Sequence, residues 1–471
     1  MTDIQQAVPA ARSAGRGFHA YSVKHLDTLV QRAGLPPEER LAVRAVAAVL
    51  PFRTNSYVVE NLIDWDAAPA DPMYRLVFPQ PDMLPAGDVR RLADLISSGA
   101  PEASLRAAAH EVRMRLNPHP AGQLLLNAPT LHGRPLPGLQ HKYPETVLFF
   151  PRQGQTCHAY CTYCFRWAQF VDEPDLKMAT DDIGSLVAYL GEHPEVTSVL
   201  ITGGDPMIMG EAVLRRYIEP LIDPRNGLDH LESIRIGTKS LAYWPQRFVT
   251  DPDADATLRL FGEVAASGRT LALMAHFSHP RELEPSLLDE AVRRIRSTGA
   301  VIRTQAPLIR SINDDPAAWR TMWRTQVRMG MIPYYMFVER DTGPQDYFAV
   351  PLARGYEIFR EAYRGVSGLG RTVRGPSMSA TPGKVCVDGV AEVAGVKVFV
   401  LRMIQARDPE LVGTPFFARF DPAATWLTDL EPVFTDRFPY EPASYEVVPD
   451  ELPGLWPDDP KEPGELMVPA I

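Results

Sequence analysis

The chain has 471 residues, 45% hydrophobic and 23% charged, which is ordinary for a globular protein with a large core. Its 48 basic and 58 acidic residues leave a net charge of −10 with no basic stripe, which excludes a protein that tracks nucleic-acid phosphates. No uncharged apolar run is long enough to span a bilayer, and residues 1–17 lack the apolar segment of a secretory leader, so a cytoplasmic protein with no membrane partner is expected.

From about residue 28 to 115 the apolar spacing is helical. A start at Pro36-Pro37-Glu38-Glu39 leads through Ala42, Val43, Val46 and Val49 to a stop at Pro51. Helices are also predicted over 88–98 and 103–116, the second with Leu105, Ala108 and Val112 on one face. Residues 1–135 are therefore assigned to a helical N-terminal region. From 146 onward short apolar runs alternate with amphipathic stretches. Strands are predicted at 147–150, 198–202, 233–236, 270–275, 301–305 and 333–338, with helices near 181–191, 211–222, 254–266, 287–298 and 316–329. Close to six βα units without a dinucleotide fingerprint make 136–370 a partial, open barrel, with a doubly wound sheet as the alternative. Residues 371–437 are strand-rich, with runs at 391–394 and 396–403 about Gly395, and form a β-containing C-terminal segment. The proline-rich stretch 438–471 reads as an extended tail.

Three of the four cysteines, Cys157, Cys161 and Cys164, form a C-x3-C-x2-C run directly after the 147–150 strand. That is the first βα loop, at the rim where such barrels carry their active sites. Three thiolates on one loop hold three corners of a [4Fe–4S] cubane and leave the fourth iron open. An open iron is what a cluster requires to bind and cleave S-adenosylmethionine instead of merely passing electrons. Structural zinc is the competing reading, but zinc wants four ligands in paired knuckles, and the fourth candidates are only His158 and the distant Cys386. So few cysteines fit a reducing compartment, with Cys386 a buried free thiol. After the second strand, Gly203 and Gly204 let a ligand approach the backbone, and Asp205 is placed to accept from an ammonium. Lys384, in Pro382-Gly383-Lys384, follows a turn, a setting that suits a solvated lysine as well as one that carries a cofactor. His141, His276 and His279 read as structural hydrogen-bonding residues, and Trp167 and Phe170 as packing.

Taken together, these segments resemble the lysine 2,3-aminomutase family of radical S-adenosylmethionine, pyridoxal-phosphate enzymes. The resemblance runs in order through Pro137-Gly138-Leu139-Gln140-His141-Lys142-Tyr143-Pro144, the cysteine loop with Arg166, and Val199 to Asp205. It continues through Ile234 to Lys239, His276 to Pro280, Leu308 to Asp314, Pro333-Tyr334-Tyr335 and Pro382-Gly383-Lys384. It implies an α/β fold with a partial (βα)6 radical-SAM barrel. Cys157, Cys161 and Cys164 would bind the cluster, and Tyr163 would lie by the adenine. Gly203, Gly204 and Asp205 would receive the methionyl amino group. Arg166 would grip the α-carboxylate of an amino-acid substrate through two parallel bonds. Lys384 would carry pyridoxal 5′-phosphate, with Tyr143 stacked on its ring. The implied activity is that of an isomerase: a 5′-deoxyadenosyl radical takes a hydrogen from a substrate held as an aldimine, and an amino group moves between C2 and C3. An external electron donor of the flavodoxin or ferredoxin type and a homo-oligomer go with that reading.

The departures from the family pattern are specific. Of the two carboxylates that hold a lysine side chain in the family, one corresponds to Asp314, while the other position is Arg340, with Asp341 one place on. A cation there repels a lysine ammonium and favours an acidic or neutral side chain. Lys142 and Thr146 stand where phosphate-binding arginines belong, leaving Lys142 and Lys239 as candidate phosphate partners. Two rival readings follow: a radical S-adenosylmethionine enzyme on this scaffold without pyridoxal phosphate, and a non-catalytic iron–sulfur or zinc-binding interaction protein.

Overall fold

The alternation of short apolar runs with amphipathic stretches becomes, in the computed structural model, one mixed sheet of eleven strands. Residues 18–171 and 173–441 are described, together with the backbone of a short strand pair, Glu446–Val447 with Met467–Val468. The remainder of the expected extended tail lies outside the described residues. The sheet strands are β1 (Leu139–Tyr143), β2 (Thr146–Phe149), β3 (Ser198–Ile201), β4 (Ser233–Thr238), β5 (Thr270–His276) and β6 (Val301–Leu308). They continue as β7 (Ile332–Val338), β8 (Arg374–Ser379), β9 (Gly383–Val393), β10 (Val396–Ala406) and β11 (Pro415–Arg419). Each pairs with its neighbours in sequence. The run β2 to β8 is parallel, whereas β1 and β9 to β11 are antiparallel.

Every parallel step is bridged by a helix: Ile183–Glu192, Glu211–Ile222, Ala254–Ala266, Ser286–Ser297, Pro316–Met329 and Leu352–Arg364. Ser286–Ser297 shows why. Leu288, Ala291, Val292 and Ile295 make one buried stripe while arginines take the other face. Pro316–Met329 starts where the Asp315 side chain accepts from Ala317 N and stops at left-handed Gly330. The six predicted strands and five predicted helices are all present. The sixth crossover and β8 had not been expected. β8 carries Gly375 and Pro376 and no β-branched residue, so nothing local marks it as a strand. Its place is set by contact, since a Cβ on Gly375 would stand 2.5 Å from Met336 O on β7.

The N-terminal helices Val23–Arg32, Pro37–Val49, Ala86–Ser97 and Glu102–Arg115 do not form a core of their own. Val46, Leu92 and Val112 belong to the same hydrophobic cluster as Val147, Ile201 and Ile236 of the sheet. A second cluster, with Val385, Phe399, Leu401 and Trp426, lies under the C-terminal strands. Among the described residues no helix is long and apolar enough to cross a membrane.

Candidate active site

The cysteine loop leaves the end of β2 and is tied to the N-terminal region along its length. Tyr160 N donates to Arg53 O at 2.9 Å, and Thr162 N to Leu76 O at 2.9 Å. Buried Asn55 donates through Nδ2 to His158 O at 3.4 Å and Tyr243 O at 3.1 Å. The far side of the loop rests on the Gly203-Gly204 turn. A Cβ on Gly204 would stand 2.3 Å from Thr156 O and 2.7 Å from Gly154 O, so only glycine fits there. Cys157, Cys161 and Cys164 are free thiols lining one cavity of about 310 Å³. Burial pushes all three thiols up, Cys164 to about 12, and the Asp205 carboxylate adds to the effect on Cys157. Thiolates here therefore need a positive partner, which the iron of a cluster supplies. Among the described residues, no three His, Cys, Asp or Glu side chains converge as ligands of a single metal ion.

Gly203 and Gly204 line the cavity, as does Asp205. The Asp205 carboxylate, however, is spent on the protein. It accepts from Met207 N at 3.0 Å, Thr238 Oγ1 at 2.8 Å, Lys239 N at 2.9 Å and Ser240 Oγ at 3.2 Å. In the structure it clamps the ends of β3 and β4 together. Lys239 is likewise committed: Nζ pairs with buried Glu282 at 2.9 Å and lies 4.3 Å from the Tyr243 ring centroid. It lines the cavity on the side of Cys161. Tyr163 is buried next to Cys161, its hydroxyl bonded to Ser278 Oγ at 2.8 Å.

Lys384 lines the same cavity from β9. Its Nζ donates to Gln405 Oε1 on β10 at 2.6 Å and lies 5.3 and 5.0 Å from the ring centroids of Tyr143 and Tyr335. Burial, reinforced by Arg235, Arg374 and Arg340, lowers its amine to about 7. Such an amine keeps a substantial neutral, nucleophilic fraction near neutrality. Arg235 was missed in the sequence, although a cation inside the apolar strand β4 was a visible signal. It lines the cavity and donates to Ser198 Oγ at 2.9 Å and Thr146 Oγ1 at 3.2 Å, with no carboxylate partner among the described residues. Arg374 stands behind it, 4.4 and 4.3 Å from the centroids of Tyr334 and Tyr335. Lys142 lines the cavity too and donates to Ala380 O.

Arg166 and Arg340 share Phe165, their guanidinium carbons 4.9 and 5.0 Å from its ring centroid. Both line the cavity, and Arg166 Nη1 and Arg340 Nε and Nη2 are buried with no hydrogen-bond partner. Burial and the neighbouring Arg340 lower Arg166 to about 10. Asp314 and Asp341 are not among the cavity-lining residues. Burial raises the Asp341 carboxyl, and its Oδ1 has no partner. His276 and Phe170 also line the cavity; His276 Nε2 bonds Gln305 at 2.8 Å, His141 Nδ1 bonds Tyr189 at 2.7 Å, and Trp167 Nε1 donates to Thr342 Oγ1 at 3.0 Å.

No protein-family model matches the chain. The chain is 30% identical over 395 residues to a protein of Aquifex aeolicus named "Putative L-lysine 2,3-aminomutase", covering 84% of this chain and 91% of that one. It is 29% identical over 231 residues to an L-lysine 2,3-aminomutase of Fusobacterium nucleatum, 49% of this chain and 50% of the relative. It is 24% identical over 231 residues to a glutamate 2,3-aminomutase of Clostridioides difficile, 49% of this chain and 51% of the relative. The chain thus spans about half the length of these last two relatives. A radical SAM methyltransferase from Sphaerobacter thermophilus aligns at a TM-score of 0.35 with 16% identity, over 62% of this chain and 93% of that one.

Proposed function

The chain belongs to the lysine 2,3-aminomutase family, and from that premise we propose that it is a radical S-adenosylmethionine aminomutase that moves an amino group between C2 and C3 of an amino acid. The parallel run β2 to β8 is read as the partial (βα)6 barrel of such enzymes. The observation that carries the reading is that the three cysteines and Lys384, far apart in the sequence, line one cavity.

The residues present fit the three groups the family implies. Three free thiols line one cavity, and Arg53, Lys239 and Arg166 only partly offset the cost of ionising them, so they suit a cluster. The glycine turn at Gly203 and Gly204 leaves backbone accessible beside them for S-adenosylmethionine, with Tyr163 toward its adenine. Lys384, flanked by the rings of Tyr143 and Tyr335, suits a pyridine cofactor, and Arg235 supplies the positive charge for its phosphate, with the Thr146 hydroxyl beside it. When bound, the cluster and S-adenosylmethionine supply a carbon radical that takes and returns a substrate hydrogen, while pyridoxal phosphate supplies the π-system that stabilises the migrating nitrogen.

The chain's own residues position and exclude. Arg166 holds the α-carboxylate and so fixes which carbon faces the cysteine side of the cavity. Gln405 accepts from Lys384 Nζ and fixes the direction of the amine. The aromatic walls Tyr143, Phe165, Tyr335 and Phe337 keep bulk water from the reacting carbon. An external reductant is required.

The test is spectroscopic. Protein reconstituted anaerobically with pyridoxal phosphate should show a borohydride-sensitive band near ~420 nm that Lys384→Ala abolishes. Absence of that band in the wild-type protein overturns the pyridoxal part of the proposal.

A further inference from the structure

The guanidinium of Arg340 feels the nearby charges of Asp341 and Glu339, yet its Nε and Nη2 donate a hydrogen bond to neither. Its Nε and Nη2 hydrogens lie on one edge of the fork, both buried and both without a partner. That edge matches the two oxygens of a carboxylate. The carboxylates that line the cavity do not answer it. Asp205 is saturated by protein donors, and the Glu339 carboxyl is engaged by the backbone N–H of Arg340 and not by its guanidinium. Asp341, the next residue, makes no hydrogen bond to Arg340, and its Oδ1 is unpartnered. Buried donors left unpaired cost roughly 1–3 kcal/mol each, so the site is built for an anion.

Its position says which anion. Arg340 and Arg166 flank the same Phe165 ring, so both reach one small ligand. Arg340 acts on Arg166 as well as on Lys384, whereas Arg235 acts on Lys384 from the side of Tyr334 and Tyr335. The cofactor phosphate is assigned to the Arg235 end, which leaves Arg340 for the substrate. An ammonium at that place meets a cation, and a carboxamide turns its NH2 toward one. A carboxylate satisfies both donors.

Resting on the aminomutase reading above, we propose that the substrate is a dicarboxylic α-amino acid, its α-carboxylate on Arg166 and its side-chain carboxylate on Arg340. Such a ligand brings two negative charges to two guanidiniums, and shifting its amino group leaves both carboxylates in place.

The experiment uses the anaerobically reconstituted holoenzyme with S-adenosylmethionine. L-glutamate, L-aspartate, L-glutamine, L-asparagine and L-lysine are compared by the shift of the cofactor absorbance without reductant, then by substrate deuterium exchange with reductant. Glutamate or aspartate should bind about tenfold or more tightly than its own amide and than lysine. Arg340→Gln should erase that preference while keeping the cofactor band, and Arg340→Lys should retain part of it. A preference for lysine or for an amide, with exchange observed, overturns the proposal and leaves the aminomutase reading intact. Loss of the cofactor band in Arg340→Gln also overturns it, by making Arg340 a phosphate ligand. The substrate panel on wild-type protein decides even if that variant does not fold. Exchange with no amino acid at all sinks the aminomutase reading, and the substrate proposal with it.

Discussion

Lys384 shows how a residue acquires chemistry from its surroundings. On a solvated turn a lysine titrates near ~10.4, and its neutral form is rare at physiological pH. Here burial and three arginines bring it to about 7. The sign is that of a depressed cation: the amine is protonated below that value and free above it. The rate at which pyridoxal phosphate is trapped on Lys384 by borohydride should therefore rise as pH increases from about 6 and level off above about 8. A rate still climbing through pH 9 would show an ordinary solvated amine. The sequence named Lys384, Arg166 and the cysteines because their spacing matches a family pattern. Asp205 and Lys239 are of types that suit ligands, while in the structure their atoms meet Thr238, Ser240 and Glu282. Nothing in a one-dimensional motif reports whether a side chain is already taken.

At the scale of elements, β-strands with matching crossover helices were legible because their apolar periods are strong and their caps are local. β8 and the Leu352–Arg364 helix were not picked out. β8 has no strand propensity, and only close packing against β7 puts it in the sheet. The support of the cysteine loop was equally hidden, since Arg53, Asn55 and Leu76 lie some hundred residues before the loop they hold. The Gly204 contact makes that support testable. Gly204→Ala places a methyl against Thr156 O and must push the loop away from the end of β3. Iron bound per chain after anaerobic reconstitution should fall several-fold while far-ultraviolet circular dichroism is unchanged. Unchanged iron content would mean that the loop does not depend on this turn.

For the whole molecule, the cavity is walled by residues as distant as Lys142, Cys157, Arg235, Arg340 and Lys384. One hydrophobic cluster joins the N-terminal helices to the sheet behind it. The sequence could order these pieces but could not say that they face one another, because that depends on how the sheet brings β2 and β9 to the same space. That convergence predicts that two chemistries are separable by mutation. Under reductant, with S-adenosylmethionine and an amino acid that turns over, wild-type protein should form both 5′-deoxyadenosine and an isomer of the substrate of equal mass. Lys384→Ala should still form 5′-deoxyadenosine but no isomer, and Cys161→Ala should form neither. Isomer made by Lys384→Ala, or 5′-deoxyadenosine made by Cys161→Ala at the wild-type rate, would contradict the account.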